Sequence, residues 1–298
     1  MKTNRIAIID LGTNTFNLLI VDKKDNGFDK VYSTKIGVGL GLGGINNRTI
    51  APDAMERGLD AVEQFLKKCH ELEVSRIKAF GTSAIRDAQN KTEFLSKLKR
   101  QFDLETEVIT GNREAQLIYE GVKIGYPFEQ PTLIMDIGGG STEFIYADKS
   151  DVIKSASFDI GTARIYQSFK LSDPYSLDDV QEVIAYLEER THNFFDDIKT
   201  DILIGASGSF ETFYAILNKA DYPENEFEDL DTQKLWKILD DMIHSTFEER
   251  MANPYIIPIR KKMAPIAAIK IKWILEKLDI KTLTISPYAM KEGVIELI

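Results

Sequence analysis

Residues 132–147, TLIMDIGGGSTEFIYA, join an apolar run that ends in an acid, a glycine-rich turn and a second apolar run. This pattern predicts a strand, a phosphate-binding turn and a return strand. Asp136 closes the first run, and Gly138, Gly139 and Gly140 remove every Cβ from the turn. Backbone N–H groups can therefore approach an anion and adopt φ > 0 where needed. Ser141 and Thr142 add hydroxyl donors. Glu143 begins the return strand, so two carboxylates flank a loop suited to negative charge, an arrangement that calls for a cation such as Mg²⁺. A metal-bound phosphate is the expected ligand, and a tight hairpin with incidental acids is the plainer alternative.

A second copy weakens that alternative. Residues 5–22, RIAIIDLGTNTFNLLIVD, repeat the apolar run, the terminal acid (Asp10), a turn at Gly12, Thr13, Asn14 and Thr15, and the apolar return. Two such hairpins in one chain predict two similar halves facing one site. They are too few and too far apart for a solenoid.

With 298 residues, 43% of them hydrophobic, the chain can bury a large core, and its length suits two domains better than one. Lys and Arg total 37 against 47 Asp and Glu, a net charge of -10, which argues against a general nucleic-acid or anionic-membrane binder. A polyanionic substrate would then need a local basic rim. No stretch approaches the roughly 18 uncharged apolar residues of a membrane span, and the N-terminal apolar run is too short for a signal peptide, so a cytoplasmic location is expected. Cys69 is the single cysteine and shares a helical stripe with Met55, Leu59, Val62 and Leu66, which predicts a buried, inert thiol. His70, His192 and His244 lack zinc-site spacing and form no visible triad.

Along the chain, 27–37 reads as a third strand, and GVGLGLGG at 37–44 reads as a flexible loop. Gly39, Gly41 and Gly44 satisfy G-x-G-x-x-G, but no helix follows directly, so a dinucleotide turn is not expected. A helix over 53–73, a strand over 74–80, a loop over 81–90 and a helix over 91–100 come next. Arg86 stands just past a strand end, where α/β sheets place ligands, so it is a candidate phosphate contact or simply an acid's partner. After a strand at 104–109, Asn112 can cap a helix with Glu114 in its first turn. The helix dipole would keep Glu114 ionised, as a general base requires. Residues 125–130 break the pattern and mark a boundary between domains at 1–126 and 127–298, with the option that the last helix returns to the first domain.

The second half repeats the layout, with strands at 132–136, 142–147 and 152–158 and then a loop, Asp159 to Arg164, in which Gly161 and Arg164 are candidate phosphate contacts. A helical stripe runs from Leu177 to Ile198. A strand at 201–206 leads through Ser207, Gly208 and Ser209 into a helix from Phe210, and its free N–H groups could meet an anion. Residues 221–231 form a polar connector. Helices are expected over 232–250 and 258–278, a strand over 281–285 and a closing helix over 289–298. Arg260, Lys261 and Lys262 oppose a helix dipole, so they are either solvated or serve an anion, with Arg260 the one expected to face the cleft.

Each half thus reads β-β-β-α-β-α, and facing Gly/Thr hairpins resemble the actin, sugar-kinase and Hsp70 superfamily. The predicted fold is α/β: two actin-like (ribonuclease H-like, ASKHA) domains with an interdomain active-site cleft. More closely, IDLGTNTFNLLIVD, GTSAIRDA, GNREAQLIYEGV, MDIGGGSTEF and FDIGTAR, in this order, resemble the Ppx/GppA family of exopolyphosphatases and guanosine pentaphosphate phosphohydrolases. The resemblance covers essentially the whole chain. It implies that Glu114 activates water and that Asp10, Asp136 and Glu143 hold Mg²⁺ or another divalent cation. It implies polyphosphate or a phosphorylated guanosine nucleotide as substrate, and leaves a homodimer open. Two departures stand out: the C-terminal helical extension of long members is absent from this sequence, and bulky Phe210 follows the turn where nucleotide-binding relatives hold adenosine. A small-molecule kinase and a non-catalytic nucleotide sensor are the competing readings.

Overall fold

The computed structural model describes residues 4–223 and 225–298. In the first half β1 (Arg5–Leu11), β2 (Thr15–Lys23) and β3 (Phe28–Gly37) form an antiparallel meander, and β4 (Arg76–Gly81) and β5 (Thr106–Val108) extend it in parallel, in the order β3-β2-β1-β4-β5. In the second half β6 (Thr132–Ile137), β7 (Thr142–Ala147) and β8 (Val152–Phe158) form the same meander. There β9 (Ile202–Ala206) and β11 (Thr282–Ile285) take the parallel places, and β10 (Glu228–Leu230) adds an antiparallel edge. The order β8-β7-β6-β9-β11 repeats that of the first sheet, so the duplication read from two hairpins extends to whole sheets.

The helices cover these sheets. In the first half α1 (Pro52–Glu71) opens on a proline, which suits a first turn whose N–H groups have no helical partner. It buries Met55, Leu59, Val62, Phe65 and Cys69 along one stripe. Burial pushes the Cys69 thiol up to about 11, as expected for an inert thiol. Next come α2 (Ser83–Asp87), α3 (Lys91–Phe102) and α4 (Gly111–Lys123). The second half carries α5 (Thr162–Ser168), α6 (Leu177–Thr191), α7 (Gly208–Asn218), α8 (Thr232–Ile243), α9 (Phe247–Ala252), α10 (Ala264–Lys277) and α11 (Met290–Glu296).

Several local expectations are corrected. The α4 cap is Thr110, whose hydroxyl accepts from Arg113 N, and Asn112 already lies inside the helix. The 81–90 stretch contains the short helix α2. The pattern at 232–250 is two helices, because Thr246 and Glu249 form a capping box that starts α9 afresh. At 258–278 a single 3₁₀ turn, Pro258–Arg260, precedes the α-helix, which begins at Ala264. The helix after Leu177 ends at Thr191 and is followed by a 3₁₀ turn, His192–Phe195. The 37–44 loop is built in, with Val38 and Leu40 buried.

Two helices cross where the sheets meet. A Cβ on Gly121 of α4 would lie 2.0 Å from the Ala289 carbonyl oxygen, and one on Gly293 of α11 would lie 1.9 Å from that of Leu117. Glycine on both faces lets the two backbones touch. Around this crossing Ile8 and Phe80 of the first half share one buried cluster with Ile134, Ile145 and Ile204 of the second. The final helix therefore packs on the first half's α4. This crossing brings the carboxyl ends of β1 and β6 face to face, the position at which α/β sheets bind ligands.

Candidate active site

Each glycine-rich turn is oriented by a segment behind it. In the second turn the carbonyls of Gly138, Gly139 and Gly140 accept from Thr162 N (3.0 Å), Ala163 N (2.8 Å) and Gly161 N (3.2 Å). In the first turn the Thr13 carbonyl accepts from Gly41 N (3.0 Å), and that of Asn14 accepts from Val38 N (3.0 Å) and Gly39 N (2.8 Å). With the carbonyls engaged on the outer side, the N–H side of both turns is left for the cavity that they line. The stretch read as a flexible loop is thus the brace of the first turn. The two turns also meet. A Cβ on Gly140 would lie 2.4 Å from Ser83 Oγ and 2.7 Å from Thr13 Oγ1, and one on Gly139 would lie 2.6 Å from the Asn14 side chain.

The acids converge on the same cavity. Asp10 accepts from Asn17 Nδ2 (2.9 Å) through one oxygen, while its Oδ1 is buried without a partner. Burial raises its pKa to about 6. Asp136 is also raised by burial. Glu143 accepts from Ser157 Oγ (2.6 Å) and is raised to about 7 by burial and the neighbouring Asp136 charge. Glu114, in the first turn of α4, is raised well above the ordinary glutamate value by burial and by Glu143, against the pull of Arg86, so burial works against the ionisation expected from the helix dipole. Arg86 Nη1 donates to Glu114 Oε2 at 2.8 Å and so aims the carboxylate.

Six carboxylates line the cavity, from Asp10, Glu114, Asp136, Glu143, Glu211 and Glu292, against the cations Lys35, Arg260 and Lys291. An excess of negative charge gathered in one cavity fits a divalent cation. So does the orphaned Asp10 oxygen. Among the described residues no group of three or more acids, histidines or cysteines forms a ready-made metal cage. That suits Mg²⁺, which keeps several waters and takes one or two carboxylates together with substrate phosphates.

Of the residues singled out in the sequence, Asp10, Gly12, Thr13, Asn14, Thr15, Glu114, Asp136, Gly138, Gly139, Gly140, Ser141, Glu143, Gly208 and Ser209 all line this one cavity, as does Arg260. Others sit behind it. Arg86 is spent on Glu114, and Gly161 braces the second turn. Arg164 donates to Gly140 O (2.9 Å) and pairs with Asp87 (2.6 Å), which makes it a strut between the two halves. Thr142 Oγ1 accepts from Lys270 Nζ, and that buried lysine also donates to Ile160 O (2.7 Å). Phe210 is fully buried, and a Cβ on Gly205 would meet its ring at 2.3 Å. The ring therefore packs into the core and leaves the cavity free.

Sequence reasoning missed Lys270, Lys291, Ser83 and Glu211. A lysine inside the apolar run AAIKIKWIL was the available signal for Lys270. Burial lowers its pKa to about 7, opposed by Glu143 and Asp136. Glu211 is held below its usual range: burial pulls it up, and Lys35 and Arg260 outweigh that.

A duplicated sheet with a glycine-rich turn at each inner end and acids between them defines an actin-like (ASKHA) fold. Residues 19–297 match the sequence profile of the Ppx/GppA phosphatase family, and the chain belongs to that family. Over 98% of its length it is similar to an exopolyphosphatase from Cytophaga hutchinsonii, with 34% identity, a TM-score of 0.93 and 96% of that chain covered. It is also similar to the Aquifex aeolicus PPX-GPPA enzyme, with 26% identity, a TM-score of 0.80 and 98% of each chain covered. Among curated relatives, a guanosine-5'-triphosphate,3'-diphosphate pyrophosphatase of Aeromonas salmonicida is 27% identical over 293 residues. That match covers 97% of this chain and 58% of the relative, so the chain spans little more than half the length of such relatives. Among the described residues no helix is long and apolar enough to cross a membrane.

Proposed function

We propose that this protein is a phosphohydrolase that releases orthophosphate from the end of a phosphoanhydride chain, with inorganic polyphosphate as substrate. One observation carries the reading: two braced phosphate turns face each other across a cavity in which Arg86 aims the Glu114 carboxylate. In this reading residues 1–126 and 127–298 are the two domains, and the N–H groups of 12–15 and 138–141 hold the terminal phosphate. One or two of Asp10, Asp136 and Glu143 would hold the divalent cation together with water and phosphate oxygens, and the cation would supply charge neutralisation at the phosphates. Glu114 takes a proton from the attacking water at its carboxylate oxygen, and its burial strengthens it as a base. Arg86 keeps that oxygen in line. Phosphoryl transfer is mostly positioning and electrostatic stabilisation, which these parts provide.

The 5′-phosphate of guanosine pentaphosphate is the second reading, favoured by the names of the curated relatives. Orthophosphate release is measured with Mg²⁺ from tripolyphosphate, long polyphosphate, guanosine pentaphosphate and ATP, for wild type and Glu114→Gln. General-base catalysis is worth roughly 10² to 10⁴ in rate, so the substitution should cost about 3 to 5 kcal/mol in kcat with KM little changed. Near-normal turnover in Glu114→Gln would remove Glu114 from its role. Transfer of phosphate to a sugar or carboxylate without steady release would turn the reading to a kinase.

A further inference from the structure

Of the three cations that line the catalytic cavity, two are already spent. Lys35 pairs with Glu211 at 2.6 Å. Arg260 Nη1 donates to the Gly208 carbonyl (2.6 Å) and to Thr212 Oγ1 (3.1 Å). Lys291 differs: it lines the same cavity, yet among the described residues it forms no hydrogen bond and no ion pair. Burial works to lower its pKa, but the charges of Glu292, Asp10, Glu211 and Asp136 outweigh that and hold it above the ordinary lysine value. It is therefore an ammonium at neutral pH, with three N–H donors and no acceptor in the protein. An ammonium withdrawn from water without a partner is costly, and an anion that enters the cavity offsets that cost.

The mounting of this lysine is rigid. Lys291 lies in the first turn of α11, where Glu292 Oε2 accepts from Ala289 N at 2.9 Å and closes the turn. The same helix crosses α4 so closely that neither Gly121 nor Gly293 has room for a Cβ. Glu114 stands in the first turn of α4, so the lysine and the proposed base are carried by two helices locked to each other. They occupy different stretches of the path. Glu114 lines only the inner cavity, together with both glycine-rich turns. Lys291 also lines a second compartment, which adjoins the first at Asn17, Lys35, Glu211, Pro287 and Glu292. A phosphate chain whose end is held at the turns and whose remainder leaves through this opening has Glu114 at its end and Lys291 beside the next phosphate.

We propose that Lys291 is a catalytic residue whose ammonium binds the phosphate behind the terminal one and neutralises the charge that forms there as the chain is cut. The proposal rests on the phosphohydrolase reading and adds the group that serves the leaving side. The water oxygen bonds to the terminal phosphorus and its proton passes to Glu114. The bond from that phosphorus to the bridging oxygen breaks, and the bridging oxygen keeps the electron pair. Lys291 stays protonated throughout and meets the new charge, and Glu114 returns its proton to solvent after orthophosphate leaves. In a loose phosphoryl transfer charge builds on the leaving oxygen, so a fixed cation there acts more strongly in the transition state than in the bound substrate.

The test is kcat and KM for orthophosphate release as a function of Mg²⁺ concentration, in wild type, Lys291→Met and Lys291→Arg, with circular dichroism to show that each is folded. The substrate is whichever of tripolyphosphate and guanosine pentaphosphate the wild type cleaves faster. Methionine keeps the length of the stem and removes the charge. At saturating Mg²⁺ Lys291→Met should lose about 100-fold in kcat with a much smaller change in KM, and Lys291→Arg should regain at least about tenfold of that loss. A lysine that only balanced the acids would, when removed, shift the Mg²⁺ concentration for half-maximal rate and leave kcat intact once Mg²⁺ saturates. A folded Lys291→Met protein within threefold of the wild-type kcat at saturating Mg²⁺ therefore overturns the proposal and leaves the hydrolase reading standing, as does an equal loss in both variants. If Lys291→Met does not fold, Lys291→Gln is read by the same criteria. A wild type that releases no phosphate from either substrate removes the hydrolase reading and this proposal with it.

Discussion

Gly161→Ala tests whether the second glycine-rich turn is positioned by the segment behind it. Gly161 has φ -63 and ψ 157, which alanine adopts without strain, so the substitution acts only through its added Cβ. That atom would lie 2.3 Å from both the carbonyl carbon and the oxygen of Gly139. Ordinary contact begins at 3.4 Å, so the backbone of the turn or of α5 must give way by about 1.1 Å, and no flexible side chain can absorb the shift. The same shift weakens the hydrogen bonds that turn the Gly138, Gly139 and Gly140 carbonyls outward. A misplacement of ~1 Å at a catalytic centre costs roughly 10²-fold, or about 2.7 kcal/mol of transition-state stabilisation. The assay is kcat/KM for orthophosphate release from tripolyphosphate, with a thermal melt showing that the variant is folded at the assay temperature. A folded Gly161→Ala protein within threefold of wild type would refute the argument that this brace sets the turn.

Lys270→Met keeps the length of a fully buried side chain and deletes its bonds to Thr142 and Ile160. Removing the ammonium leaves the buried Thr142 hydroxyl and Ile160 carbonyl without this donor, so urea melts should show a loss of roughly 1 to 3 kcal/mol while phosphate release falls at least ~tenfold. Asp87→Ala leaves the Arg164 guanidinium without its 2.6 Å partner in a setting where only 11% of that side chain is exposed. Urea melts should show a loss of roughly 2 to 3 kcal/mol, at the low end for buried pairs because Asp159 still stands 3.5 Å away. The raised values of Asp10, about 6, and Glu143, about 7, bear on metal binding. Both groups bind protons more tightly in the folded state, so the stability they contribute is present at low pH and is lost as pH rises through those values. A divalent cation binds the ionised forms, so the increase in melting temperature on adding Mg²⁺ should be larger at pH 8 than at pH 5. An equal increase at both would show that these carboxylates do not hold the ion.

The two hairpins and their acids were legible because strand–turn–strand chemistry is local. Alternating apolar runs set the strands, an acid ends each first strand, and the absence of Cβ atoms marks the turns. Nothing beyond the sequence was needed to infer two similar halves, a glycine-rich turn with an acid before it in each, and Glu114 at a helix start. Helix ends were less legible, as Thr110 and Thr246 show, because several neighbouring polar residues could serve as caps and packing selects one. Assembly of the site was decided only in three dimensions. Arg86 and Arg164 look alike in sequence as free cations past strand ends, yet one is bound to Glu114 across 28 residues and the other to Asp87 across 77. Lys270 reaches Thr142 across 128 residues. Such partnerships depend on which surfaces the α4–α11 crossing brings together, and a long-range Coulomb or hydrogen-bond pairing leaves no periodicity in the chain. The sequence by itself determined the two glycine-rich turns and their acids, because their chemistry is carried by consecutive residues. The tertiary structure decided what braces those parts, what charges them and where the cavity leads, because these depend on residues that meet only when the two sheets pack.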